Sequence, residues 1–176
     1  FVSLLTILIP RTRNVFKTKP LEGTSDVIFL GTGASTGVPH MHHVMLAPSD
    51  YKNQGEGRVG EVMNSIAASW GNPKCNCNYR DNVSLLVRYR GNKDGSERSV
   101  IIDVGKTFRE GAVRWFPEHD IRTVDAVVLT HGHADAFFGC DDIRSVMPRG
   151  ESMPVYLTDE CRQAVSRTFP YLFPLE

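Results

Sequence analysis

Cysteine is scarce in this chain, with four in 176 residues. Four cysteines at irregular spacing build no disulfide ladder, and a chain of this size needs none to hold a core, so a reducing compartment such as the cytosol is expected. Net charge is missing as well, because Lys plus Arg and Asp plus Glu both number 20. Nothing draws the whole protein onto an anionic membrane, and charge does not indicate nucleic acid as a partner, although it stays open as one. Any preference for phosphate must come from a local site. A membrane-spanning run is also lacking, since the apolar stretch at residues 1–9 is too short to cross a bilayer. Basic Arg11, Arg13, Lys17 and Lys19 follow that stretch rather than precede it, the reverse of a secretory signal. Residues 10–25 are basic and hydroxyl-bearing with Glu22 as the one acid, which leaves an organellar leader open beside the plainer expectation of an unstructured lead-in. The first residue is Phe1 rather than Met, so a processed or truncated start is expected. No internal repeat or low-complexity tract is present.

What is there is 41% hydrophobic residues, enough for the core of one domain or of part of a larger one. Residues 26–30 form a β-rich run ending at Gly31-Thr32-Gly33, and the folded domain is expected to occupy residues 26–176. Residues 40–82, with Pro48, Pro73 and scattered glycines, read as a long insertion bordering the site, with a short helix over 59–70. Two strands at 83–90 and 99–104 flank turn-forming residues 91–95, which predicts a hairpin. Phe108, Ala112, Val113 and Phe116 fall at helical spacing before Pro117. The run at 124–129, apolar apart from Asp125, predicts a strand buried on both faces. A helix over 137–146, a strand over 154–157 and a final helix capped by Thr158 complete the pattern. The order describes an α/β domain, a mixed sheet with helices packed on it, and it looks unfinished because its apolar faces need a partner layer.

Directly after the run at 124–129 stands Thr-His-Gly-His-Ala-Asp, residues 130–135. In an extended segment His131, His133 and Asp135 share one face, so two imidazoles and a carboxylate can converge. That donor set suits zinc, and also manganese or iron, and few protein ligands leave a position open for water. A metal-acidified water is a nucleophile near neutral pH. The competing reading is a polar loop that happens to hold two of the six histidines. Cys75 and Cys77 are weak candidates for a structural metal, because C-x-C spacing alone does not specify tetrahedral zinc and two free thiols in a loop are the favoured reading. His40, His42 and His43 either line the pocket or bind adventitious metal, or sit in a solvated loop. The turn from Gly31 to Gly37 either offers backbone N–H groups to a phosphate or lets the first strand pass the site; it lacks the Gly-Lys-Ser/Thr ending of a Walker loop. Cys140 and Cys161 read as core residues.

The stretch at 130–135 resembles the metallo-β-lactamase signature His-x-His-x-Asp-His. The segment from Ile28 to Pro39, reading IFLGTGASTGVP, resembles the opening of that family's phosphodiesterase branch, which includes tRNA 3'-processing endonucleases and the cyclic phosphodiesterase of the carbon-phosphorus lyase pathway. Further matches are Asp81-Asn82-Val83-Ser84-Leu85-Leu86-Val87, Ile101-Ile102-Asp103-Val104-Gly105 with Phe108-Arg109, and Gly139-Cys140-Asp141-Asp142-Ile143-Arg144. The resemblance implies an αββα sandwich in which His131 and His133 bind a first metal and Asp135 a second. It implies Asp103 as a hydrogen-bond acceptor that steadies the metal-site loop, against the plainer reading of a turn former before Gly105. Relatives often carry a cysteine cluster with a distant histidine where Cys75 and Cys77 stand, but a third cysteine near Arg80 is missing.

Two departures matter. Ala136 replaces the last signature histidine, so either Asp141 or Asp142 substitutes or, as favoured here, the second metal site is depleted. The histidines and bridging aspartate that the family takes from its second half are not found after Asp142, so only the first half of the sandwich is expected. The function implied is a metal-dependent phosphodiesterase acting on a small nucleotide-like or cyclic phosphodiester. One or two ions, zinc or else manganese or iron, would serve a complete domain, with Asp135 as the catalytic ligand that orients the water. The same fold acting on a thioester, lactone or lactam, and an inactive or truncated binding protein, are the alternatives. Oligomeric state is open.

Overall fold

The computed structural model describes residues 25–90 and 96–173. The lead-in expected at 1–25, apart from its last residue Ser25, and the turn expected at 91–95 lie outside the described residues. Among the described residues five strands form one sheet in the order β1-β2-β3-β4-β5. Strands β1 (Asp26–Gly31), β2 (Ser84–Tyr89) and β3 (Arg98–Ile102) run antiparallel to one another. Strands β4 (Ala126–Val128) and β5 (Val155–Tyr156) continue the sheet in parallel. The mixed sheet expected from the sequence is therefore present, and so is the hairpin.

One face of this sheet is the core. Ile28, Leu86 and Ile101 stand in register across the first three strands, are all buried, and gather Leu30, Val127, Phe108 and Phe116 around them. Burial of such side chains contributes roughly 1.5–3 kcal/mol each, which makes this face the main source of stability. Helix α3 follows the hairpin; in chain order it is preceded by α1 (Met41–Met45) and α2 (Glu56–Ser69), and itself covers Phe108–Trp115. It packs against β1 with Phe108 and Phe116 in an edge-to-face pair 6.2 Å apart. Val113, counted with that apolar face from its spacing, is instead exposed, because positions 108, 112 and 116 already fill the stripe.

The other sheet face carries a second apolar row in register, Phe29, Leu85, Ile102, Val128 and Tyr156. Nothing among the described residues covers it, and Phe29 is 64% and Tyr156 62% exposed. This corrects the expectation that the run at 124–129 is buried on both faces. Val127 is buried, but its neighbours Ala126 and Val128 are only half-buried, because the layer that would cover them is not in the described sheet.

The helix expected over 137–146 divides in two. One α-turn, α4 (Ala134–Phe137), gives way to a 3-10 run, Phe138–Ser145. The cause is tertiary. Gly139 spends its N–H on Val104 O at 2.7 Å rather than on the carbonyl four residues back, so the α ladder stops there. Helix α5 (Asp159–Thr168) starts as its capping residue predicts, with Thr158 Oγ1 accepting from Cys161 N at 3.3 Å. Among the described residues no helix is long and apolar enough to cross a membrane.

Candidate metal centre

The site grows from the carboxyl end of β4. Residues 129–133 leave the sheet, His133 takes the extended N-cap position of α4, and Asp135 lies in that helix's first turn. An extended run of three was expected to place the donors on one face. The structure reaches the same convergence by turning into a helix after His133. His131, His133 and Asp135 each offer one donor atom within 4.8 Å of the others. The imidazole rings stand nearly perpendicular with centroids 4.8 Å apart, and His131 Nε2 lies 3.7 Å from Asp135 Oδ1.

A loop at 103–107 holds this turn from below. Val104 N donates to Ala136 O at 2.7 Å and Lys106 N to Ala134 O at 3.2 Å, so α4 is tied on its carbonyl side. Asp103 is buried and adopts a left-handed backbone with φ of 59°, a conformation that aspartate tolerates better than most residues. Its backbone is fixed on both sides, by Ser84 Oγ donating to its carbonyl at 2.8 Å and by its own N–H donating to Val128 O at 2.9 Å. Its carboxylate accepts from Thr130 N at 2.8 Å and from Thr130 Oγ1 at 2.7 Å. Asp103 thus holds Thr130, the residue before His131, and no bond from it to a histidine is present among the described residues.

Asn82, from the matched segment before β2, braces the other side. Its N–H donates to Thr107 Oγ1 at 2.8 Å, and its side-chain amide donates to Ala34 O and Ser35 O at 2.9 and 3.0 Å. The glycine turn, for which a phosphate cradle and a close strand passage were both open, packs against backbone at Gly31 and Gly33. Gly33 N donates to Asp81 O at 2.7 Å, and a β-carbon on Gly31 would stand 1.9 Å from Asn82 O. These glycines permit strand β1 to pass residues 80–82, the second of the two readings left open above.

The structure separates the remaining candidates from the cluster. Asp142 accepts from Arg109 Nε at 2.9 Å, while Asp141 pairs with Arg144 and accepts from Tyr171 OH at 2.8 Å. Both carboxylates are thus engaged elsewhere, and neither joins the donor group among the described residues. Cys75 and Cys77 are exposed free thiols outside that group. His40 and His43 stack with ring centroids 4.7 Å apart, and His43 Nδ1 meets Ser65 Oγ of α2 at 3.2 Å. Burial and the neighbouring His40 hold His43 below its usual pKa. Cys140 is buried, and burial with Cys161 beside it pushes its thiol up to about 12.

An open cleft of about 350 Å³ lies beside the histidines, lined by Thr130, His131, Gly132 and His133 on one wall and by Thr158, Glu160, Cys161 and Ala164 on the other. The sequence pointed to Thr158 only as the cap of the final helix. The place of Thr158 and Glu160 in the cleft comes from a tertiary contact, Gly132 against α5, where an added β-carbon would stand 2.9 Å from Ala164 Cβ.

Residues 98–176, the stretch that carries Asp103 and the whole cluster, match the family model described as a beta-lactamase superfamily domain. The fold is the metallo-β-lactamase fold. A solved structure titled as a new diphosphatase from the PhnP family is similar at 29% identity and a TM-score of 0.58, over 86% of this chain and 48% of its own. The chain thus spans about half the length of that neighbour. No curated protein matches the chain.

Proposed function

We propose that this chain carries the metal-binding half of a hydrolase that cleaves a small phosphodiester, nucleotide-like or cyclic. The observation that carries the reading is the convergence of His131, His133 and Asp135 within 4.8 Å, with both histidines lining an open cleft. Two imidazoles and a carboxylate fit zinc, manganese or iron, and the cleft leaves room for a substrate. A divalent ion, when bound there, would supply Lewis acidity and lower the pKa of water at the site. The chain's own part is to hold that ion on His131, His133 and Asp135, with Asp135 also within reach of orienting the water.

Charge favours a role for the ion in binding as well. Asp135 belongs to the cluster and Glu160 lines the cleft, so without a cation two carboxylates repel a phosphate. A divalent ion reverses that sign. The similar protein titled as a diphosphatase also acts on a phosphorus centre, which supports a phosphoryl substrate over a thioester, lactone or lactam. Ala136 in place of a donor favours the other alternative, an inactive binding protein. The free thiols fit a reducing compartment, the cytosol.

The test is turnover by the full-length protein on bis(p-nitrophenyl) phosphate, a cyclic nucleotide, a nucleoside diphosphate, a thioester and a lactam, with and without chelator. Chelator-sensitive phosphodiester cleavage that His133→Ala abolishes is expected. Turnover of the lactam or thioester alone, or none with metal bound, overturns the reading.

A further inference from the structure

We infer that Thr130 is a positioning residue of this centre: its hydroxyl, anchored on Asp103, selects the Nδ1–H tautomer of His131 and leaves Nε2 bare toward Asp135. The inference rests on the metal-centre reading above but is argued from hydrogen-bond counting. Thr130 Oγ1 lies 2.7 Å from Asp103 Oδ2 and 2.9 Å from His131 Nδ1. A hydroxyl has one proton to give and a carboxylate only accepts, so that proton goes to Asp103. The hydroxyl can then only accept from His131, which places the imidazole proton on Nδ1. Nε2 is left with a lone pair, and it is this nitrogen that faces Asp135 Oδ1 at 3.7 Å. Two lone-pair atoms aimed at one another are a poor arrangement alone and a good one around a cation.

Asp103 is suited to impose this. Both its carboxylate oxygens grip Thr130, one through the backbone N–H and one through the hydroxyl, which restrains the Thr130 side chain. Its backbone is held in turn by Ser84 and Val128. The chain of bonds runs from buried Ser84 through Asp103 and Thr130 to a histidine whose side chain is 45% exposed. A partly exposed ring has little packing to orient it, so the hydrogen bond on its far nitrogen has to do so.

The experiment uses full-length protein with 15N-labelled histidine, in metal-free form, and reads the His131 tautomer from long-range proton–nitrogen correlations, assigned with His131→Gln. The expected result is the Nδ1–H form in wild type and in Thr130→Ser, and a shift toward Nε2–H, the form free imidazole side chains prefer, in Thr130→Val. Zinc affinity measured by competition should fall roughly 10–100-fold in Thr130→Val and recover in Thr130→Ser. The wild-type spectrum decides the matter even if Thr130→Val does not fold: an Nε2–H His131 there overturns the inference. So does a Thr130→Val protein that keeps both tautomer and affinity. If wild type binds no zinc while the tautomer still follows the hydroxyl, the metal reading fails and the positioning role stands.

Discussion

A β-carbon placed on Gly105 would stand 1.9 Å from the carbonyl oxygen of Asp135. The loop after β3 and the helix that carries the candidate ligand are thus in backbone contact, joined by the flanking bonds from Val104 and Lys106. Gly105→Ala must push the two apart. A cost of roughly 1–3 kcal/mol or more is expected in chemical denaturation, as for other overpacked sites, together with weaker metal binding because Asp135 moves. Unchanged stability and metal affinity in Gly105→Ala would show that the two segments separate at no cost.

The cluster is expected to retain one zinc, manganese or iron ion per full-length chain through dialysis, and His131→Ala with His133→Ala to lose it, by elemental analysis. Position 136, which could add an imidazole donor, holds an alanine that is 1% exposed. Ala136→His should raise the metal count toward two only if the ring reaches the cleft, and should lower the melting temperature because a polar ring enters packed surroundings. Two tightly held ions in the unmutated protein would point to a donor outside the described residues.

At the far end of the sheet Asp26 accepts from Arg88 Nη2 at 2.8 Å and lies 2.9 Å from Arg90 Nη1. Burial works to raise its pKa, but the hydrogen bonds and charges of Arg88 and Arg90 together outweigh it and leave the group below its usual 3.8. The unfolded chain therefore binds a proton at a higher pH than the native one. The stabilisation is present above about pH 4 and is lost as pH falls through the lower native value. Asp26→Asn should cost about 1–3 kcal/mol at pH 7 and flatten the acid limb of stability against pH, read by urea melts at several pH values. A steeper acid limb in the variant would contradict this account.

The open sheet face gives a prediction about chain length. Phe29 and Tyr156 belong to an uncovered apolar row, the kind of patch that favours association. The isolated 176-residue chain is expected to self-associate and to bind a hydrophobic dye, measured by light scattering and fluorescence. Phe29→Ala should change its stability by less than about 0.5 kcal/mol, as at a surface site. In a chain extended to the length of the diphosphatase-titled neighbour, the same substitution should cost about 3–5 kcal/mol, as for a buried ring. Equal small effects in both would mean that nothing covers this face.

Much of the fold was legible because it depends on local chemistry. Alternating and continuous apolar runs gave β1 to β5 in order, Thr158 gave the start of α5, and spacing picked out His131, His133 and Asp135. The 3-10 run after Phe137 was not legible, since it follows from Gly139 bonding to Val104, more than thirty residues earlier in the chain. Nor was the role of Gly31 and Gly33, because glycine permits close approach of either a phosphate or a backbone, and only the fold brings residues 80–82 against them. By itself the sequence determined which side chains could bind a metal and on which strand end they stand, through periodicity and residue chemistry. Tertiary structure alone decided that Thr130 links Asp103 to His131, that Asp141 and Asp142 are taken by Arg144 and Arg109, and that α5 forms the far wall of the cleft. Those outcomes depend on distances between segments far apart in the chain, which no local pattern encodes.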